Sequence, residues 1–128
     1  MKRPPIHVQV EKTETGFSAY ARDASVFTTA TSVSALYTHL LEALELHNDL
    51  APGSLATKDL RLHLDFQQFF QHYRVLNAKF LAERIGMNPT LLSQYVSGKK
   101  QPSQRQQARI LMGIQTIGRE LAELQWKG

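Results

Sequence analysis

The sequence predicts an α+β chain in two parts, a small β-β-β-α-β unit over residues 1–64 followed by an all-α unit over residues 65–128. Three observations predict it. Apolar residues alternate with polar ones at Ile6, Val8 and Val10 and again at Leu60, Leu62 and Leu64, the two-residue period of strands with one buried face. From Asp65 onward the apolar residues recur at three- and four-residue spacing, the period of helices. Charge divides at the same place: residues 1–64 carry 6 Lys/Arg against 7 Asp/Glu, and residues 65–128 carry 9 against 4. Each part is small enough for its own core to be marginal, so help from a second copy of the chain is expected.

In the first part, Ile6 to Val10 and Phe17, Ala19 and Ala21 flank the turn Thr13-Glu14-Thr15-Gly16 and read as a β-hairpin. Val26 to Ala30 is β-branched and aromatic, a third strand. Val33, Leu36, Tyr37, Leu40, Leu41 and Leu44 then follow a helical period behind Ser32, a good cap, so Val33 to His47 is a helix. Asn48 to Lys58, with Pro52-Gly53-Ser54, is a loop. Leu60 to Leu64 is the fourth strand.

In the second part, Asp65 and Gln68 have the spacing of a capping box. Phe66, Phe69, Phe70 and Tyr73 form one stripe of a short helix expected to end near Leu76. Helices over Ala78 to Ile85 and Pro89 to Ser97 follow, and Ser103 with Gln106 caps a last one. Ala108, Leu111, Ile114, Ile117, Leu121 and Leu124 line one side of that last helix. Its far end, with Trp126, either completes the helix's own core or meets a second subunit.

The composition excludes several classes. There is no cysteine, so disulfides and thiolate metal sites are impossible, and a cytoplasmic location is expected. Met1 to Ile6 lacks the apolar run of a signal peptide, and no stretch has the length of a membrane span. Between Phe66 and Arg119, 8 basic residues face one acid, Glu83, a density suited to a polyanion. Glu11, Asp23 and Asp59 are the acids near strand ends, and none sits inside a strand as a metal-binding nuclease carboxylate would. His39 and Glu42 share a helical spacing, a pair too common to indicate a metal, and His7 and His63 are expected to face outward. No phosphate loop or nucleophile motif is present. Neither enzymatic activity nor a cofactor is expected.

The informative segment runs from Ala78 to Ser103. Ala82 is small where a second helix must cross, and Gly86 suits the left-handed residue that ends the first helix. Leu81, Ile85, Met87, Leu92 and Tyr95 supply an apolar wedge. Asn88 caps the second helix, Pro89 opens it, and Gly98 closes it. The order and spacing of Leu81-Ala82, Gly86, Ser93, Tyr95, Gly98-Lys99-Lys100 and Pro102-Ser103 resemble the helix-turn-helix of the Cro and C1 phage-repressor superfamily. The resemblance implies that Asn88, Pro89, Thr90 and Gln94 face the bases of the major groove. It also implies that Asn77, Lys79, Lys99, Lys100 and Arg105 meet phosphates, while Ala82, Gly86, Leu92 and Gly98 are structural.

The first part is similar to the N-terminal domain of HicB-type antitoxins, a partial ribonuclease H-like fold. The likeness rests on Thr15-Gly16-Phe17-Ser18-Ala19-Tyr20 within the hairpin, Asp23 after it, and Leu41 to His47 in the helix. The two resemblances together imply a transcriptional repressor that binds a palindromic operator as a homodimer or larger oligomer. It would be the antitoxin of a type II pair, neutralising a HicA-type RNA-cleaving toxin and repressing its own operon. A solitary HicB-like regulator, or an interaction module without a toxin partner, remains the alternative.

Overall fold

A computed structural model describes residues 4–126. Over these residues the chain is α+β, with a four-stranded mixed sheet and five helices, and it divides into two compact units with the boundary between His72 and Tyr73. The first unit comprises β1 (Ile6–Lys12), β2 (Phe17–Ala21), β3 (Val26–Ala30), α1 (Val33–His47), β4 (Leu60–Leu64) and α2 (Phe66–His72). The second holds α3 (Ala78–Ile85), α4 (Pro89–Val96) and α5 (Gln104–Ala122).

The sheet order is β3-β2-β1-β4. β2 pairs antiparallel with β1 and β3, whereas β4 returns parallel to β1 with Ile6 opposite Leu60 and Val10 opposite Leu64. This register aligns the alternation of every strand. Val8, Val10, Ala19, Ala21, Val26, Leu60, Leu62 and Leu64 are buried, as are Leu36, Leu40 and Leu44 of α1. His7, Gln9, Tyr20 and Phe27 take the other face and are exposed. Gly16 is fixed by a close approach: a Cβ there would lie 2.1 Å from the Ala30 oxygen. The loop after α1 is pinned by the buried Glu45, whose Oε2 accepts from the Leu55 amide at 2.9 Å.

Two expectations change around α2. Asp65 Oδ1 does cap the helix, accepting from the Gln68 amide at 3.1 Å. The Gln68 side chain does not complete a capping box, because it reaches Lys12 at the end of β1 instead. Its Oε1 accepts from the Lys12 amide at 2.8 Å and its Nε2 donates to the Lys12 oxygen at 2.7 Å. The carboxamide, having both a donor and an acceptor, pairs with a strand residue much as another peptide group would. α2 also stops at His72, short of Leu76, and Val75 lies exposed beyond it. The helix thereby groups with the sheet, and the boundary falls later than residue 64.

In the second unit Leu81, Ala82, Met87, Leu92, Tyr95 and Ile110 are buried. On α5 the anchor is Ile110, fully buried, whereas Ala108, counted in the expected stripe, is exposed. Leu111, Ile114 and Ile117 are half-buried, and Leu121 and Leu124 are exposed. No helix of the described residues is long and apolar enough to cross a membrane.

Candidate nucleic-acid interface

α3 begins where Asn77 Oδ1 accepts from the Phe80 amide at 3.1 Å. It ends in the left-handed turn that its glycine permits, with Gly86 at φ 69°. The Met87 amide reaches back to the Ala82 oxygen at 2.9 Å and the Gly86 amide to the Glu83 oxygen at 3.3 Å. This paired closure satisfies carbonyls that the helix leaves open and turns the chain sharply. Met87 is buried in the turn. Asn88 then starts α4, its Oδ1 accepting from the Thr90 amide at 2.8 Å and the Leu91 amide at 3.4 Å, with Pro89 as first residue. Ala82 and Leu92 are both fully buried, as expected of two helices in close contact.

α4 ends with Ser97 as its cap, one residue earlier than the sequence suggests, and Gly98 follows at φ 81°. The Lys100 amide bonds back to the Gln94 oxygen at 3.2 Å, which holds the Lys99-Lys100 segment against the end of the helix. Both lysines are exposed. Buried Leu92 and Tyr95 fix the inner side of α4, leaving Pro89, Thr90, Ser93 and Ser97 exposed and Gln94 half-buried.

Of the residues expected at bases, Asn88, Pro89 and Thr90 are exposed together at the start of α4. Of those expected at phosphates, Asn77, Lys79, Lys99, Lys100 and Arg105 are all exposed. Lys79 Nζ lies 5.9 Å from the centre of the exposed Phe80 ring. The carboxamide oxygens of Asn77 and Asn88 serve as caps, so the Nδ2 groups are what each can offer a phosphate or a base.

Comparison with protein-family models, curated proteins and solved structures finds no match.

Ser93 shares the exposed side of α4 with Thr90, as their three-residue spacing on a helix requires. Two features were not legible from spacing. Arg109 of α5 donates from Nη2 to the oxygens of Ile85, at 3.2 Å, and Gly86, at 2.7 Å. Arg84 of α3 forms an ion pair with Glu120 of α5. The sequence marks these residues only as polar, because their partners are distant in the chain.

In the first unit Glu11 and Asp23 are exposed, and Asp59 Oδ2 accepts from the Ala56 amide at 2.8 Å. Among the described residues no group of three His, Asp or Glu side chains is arranged to hold a metal ion. His39 Nδ1 donates to the Thr29 oxygen at 2.8 Å. His7 Nδ1 and His63 Nε2 lie 2.8 Å apart across β1 and β4. Partial burial, and then the neighbouring His7, hold the His63 pKa below its ordinary value.

Proposed function

We propose that the chain is a sequence-specific DNA-binding transcriptional repressor, with α3 and α4 as its helix-turn-helix and α4 as the helix that enters the major groove. The observation that carries this reading is the α3–α4 joint. A left-handed glycine, a buried turn methionine and a capped, proline-led second helix present an exposed polar edge at Asn88, Pro89 and Thr90. Lys99 and Lys100 stand exposed just past the far end of the same helix, as a phosphate contact requires. The chain acts as a homodimer or larger oligomer on a palindromic operator. Exposed Leu121, Leu124 and Trp126 at the end of α5 support contact with a second copy.

The first unit is a HicB-like, partial ribonuclease H-like domain that binds a protein partner, and the whole chain is an antitoxin that masks a HicA-type toxin and represses its operon. Support comes from the β-β-β-α-β order and from a sheet face on which Tyr20 and Phe27 are exposed. One observation favours a solitary regulator instead. Ser25-Val26-Phe27 stands where HicB-type chains have Pro-Gly-Cys after the aspartate matched here by Asp23.

A mobility-shift titration against the DNA upstream of the chain's own gene tests the regulator. A discrete shift that survives excess unrelated duplex is expected; uniform binding to all DNA, or none, would overturn it. Co-purification from the source cell then separates the two forms: a small RNA-cleaving partner supports the antitoxin, and its absence supports the solitary regulator.

A further inference from the structure

Arg109 sits on the second turn of α5 but acts on the turn between α3 and α4. Its Nη2 donates to the oxygens of Ile85 and Gly86, two carbonyls at the C-terminal end of α3. Such carbonyls have no partner within their helix, and the helix dipole makes that end favourable for a cation. Gly86 is also the residue whose left-handed φ of 69° sets the direction in which the chain leaves for α4. The guanidinium therefore grips the backbone at the point where the two helices change direction.

Two further contacts join α5 to the last turn of α3 beside this grip. At Gly113 the helices approach so closely that a Cβ would lie 2.2 Å from Ile85 Cγ2. Farther along, Glu120 pairs with Arg84. The Gly113 and Glu120 contacts hold side chains of α3, whereas Arg109 holds the backbone of the turn itself.

We propose that Arg109 is a positioning residue for DNA recognition: it fixes the angle of α4 through the Ile85 and Gly86 carbonyls, and so governs discrimination between DNA sequences. This rests on the DNA-reading function proposed above. α4 is anchored by buried Leu92 and Tyr95 and, just before its cap, by buried Met87, so the backbone of the turn sets the angle at which the Asn88 end, with its base-facing residues, is presented. Hydrogen bonds to base edges tolerate little displacement. Contacts of exposed lysines with phosphates depend mainly on charge and tolerate more. Loss of the clamp therefore weakens the choice of sequence more than attachment to DNA.

The test uses the full chain and two duplexes, one selected by the wild-type protein from a random-sequence pool and one of the same composition with the order shuffled. Fluorescence anisotropy over a salt series gives the preference and the salt slope. Arg109→Met, which keeps the aliphatic stem, is expected to reduce the preference about tenfold while leaving shuffled-duplex affinity and slope unchanged. Arg109→Lys, whose ammonium can donate to the same carbonyls, is expected to recover part of the preference. A slope reduced by about one with the preference intact would show that Arg109 itself contacts a phosphate, overturning the proposal. An undiminished preference in a folded Arg109→Met protein would overturn it as well. If Arg109→Met does not fold, Arg109→Lys decides: partial preference supports the clamp, and wild-type preference with a reduced slope rejects it. A wild-type protein that selects no sequence removes the DNA reading itself before any variant is made.

Discussion

Gly113 and Gly118 stand on the same helix, and an added methyl group meets different surroundings at each. Nothing lies within 4 Å of a Cβ at Gly118, so Gly118→Ala should raise stability by about 0.5–1 kcal/mol through backbone entropy alone. At Gly113 the methyl would run into Ile85, and Gly113→Ala should lower stability by about 1–3 kcal/mol. Urea unfolding of both variants checks the opposite signs. If α4 reads DNA as proposed, Gln94→Ala should lose about 1–3 kcal/mol at the preferred site and relax one base position, measured by binding to a panel of single-base variants. Unchanged discrimination would pass that role to Ser93, the more exposed neighbour. Gly86 was legible in the sequence because a local pattern required it, standing between an apolar helix and Asn88-Pro89. Gly113 and Arg109 were not, since their reasons lie in α3 and the turn that follows it. Ile110 was absent from the expected stripe for a related cause: Ile110 and Leu111 are adjacent and apolar, and the helical period alone does not say which of them points inward.

Among the elements, every strand and the long α1 followed from period and punctuation, because each buries one regular face. α2 is the exception, and the difference is chemical. Gln68 was expected to complete a cap, but the end of β1 offers it both a donor and an acceptor. Gln68→Glu replaces the Nε2 donor by an acceptor facing the Lys12 oxygen, and should destabilise the chain by about 1–3 kcal/mol in urea unfolding. The β1–β4 pairing carries a pH dependence. His63 has a lowered pKa, so in the acid range the unfolded chain binds more protons at this site than the folded one does. Its contribution is complete above the ordinary histidine pKa of about 6.5 and is lost as pH falls from there through the folded value. The urea midpoint, followed by circular dichroism, should fall between neutral and mildly acidic pH, and His63→Gln should reduce that fall. An identical profile in the variant would assign the dependence to other groups.

At the scale of the whole molecule, the basic excess and the two hydrophobic periods already divided the sequence. They did not locate the seam, because the helical period begins at Asp65 while α2 is tied to a strand. The division of charge bears on salt dependence. If exposed Lys99 and Lys100 each meet a phosphate, replacing both by Ala should weaken binding to all duplexes alike and flatten the salt slope by about two units. An unchanged slope, measured between low and physiological salt, would remove both residues from the interface. Partners were not legible in the sequence for a physical reason: helix caps and turn glycines specify a shape, whereas partners are chosen by side chains that the fold leaves exposed.

The parallel return of β4 also affects how the chain is completed during synthesis. β1 is made before β2, β3, α1 and a loop, and the strand that covers its open edge follows only after them. The Lys12–Gln68 bridge joins residues 56 positions apart. Until those later residues leave the ribosome, the nascent hairpin carries an uncovered edge beside Val8 and Val10, a surface open to pairing with a neighbouring chain. The three helices after His72 join residues nearer in sequence and should form faster. The slowest folding step, and the exposure to aggregation that accompanies it, are therefore expected in the sheet.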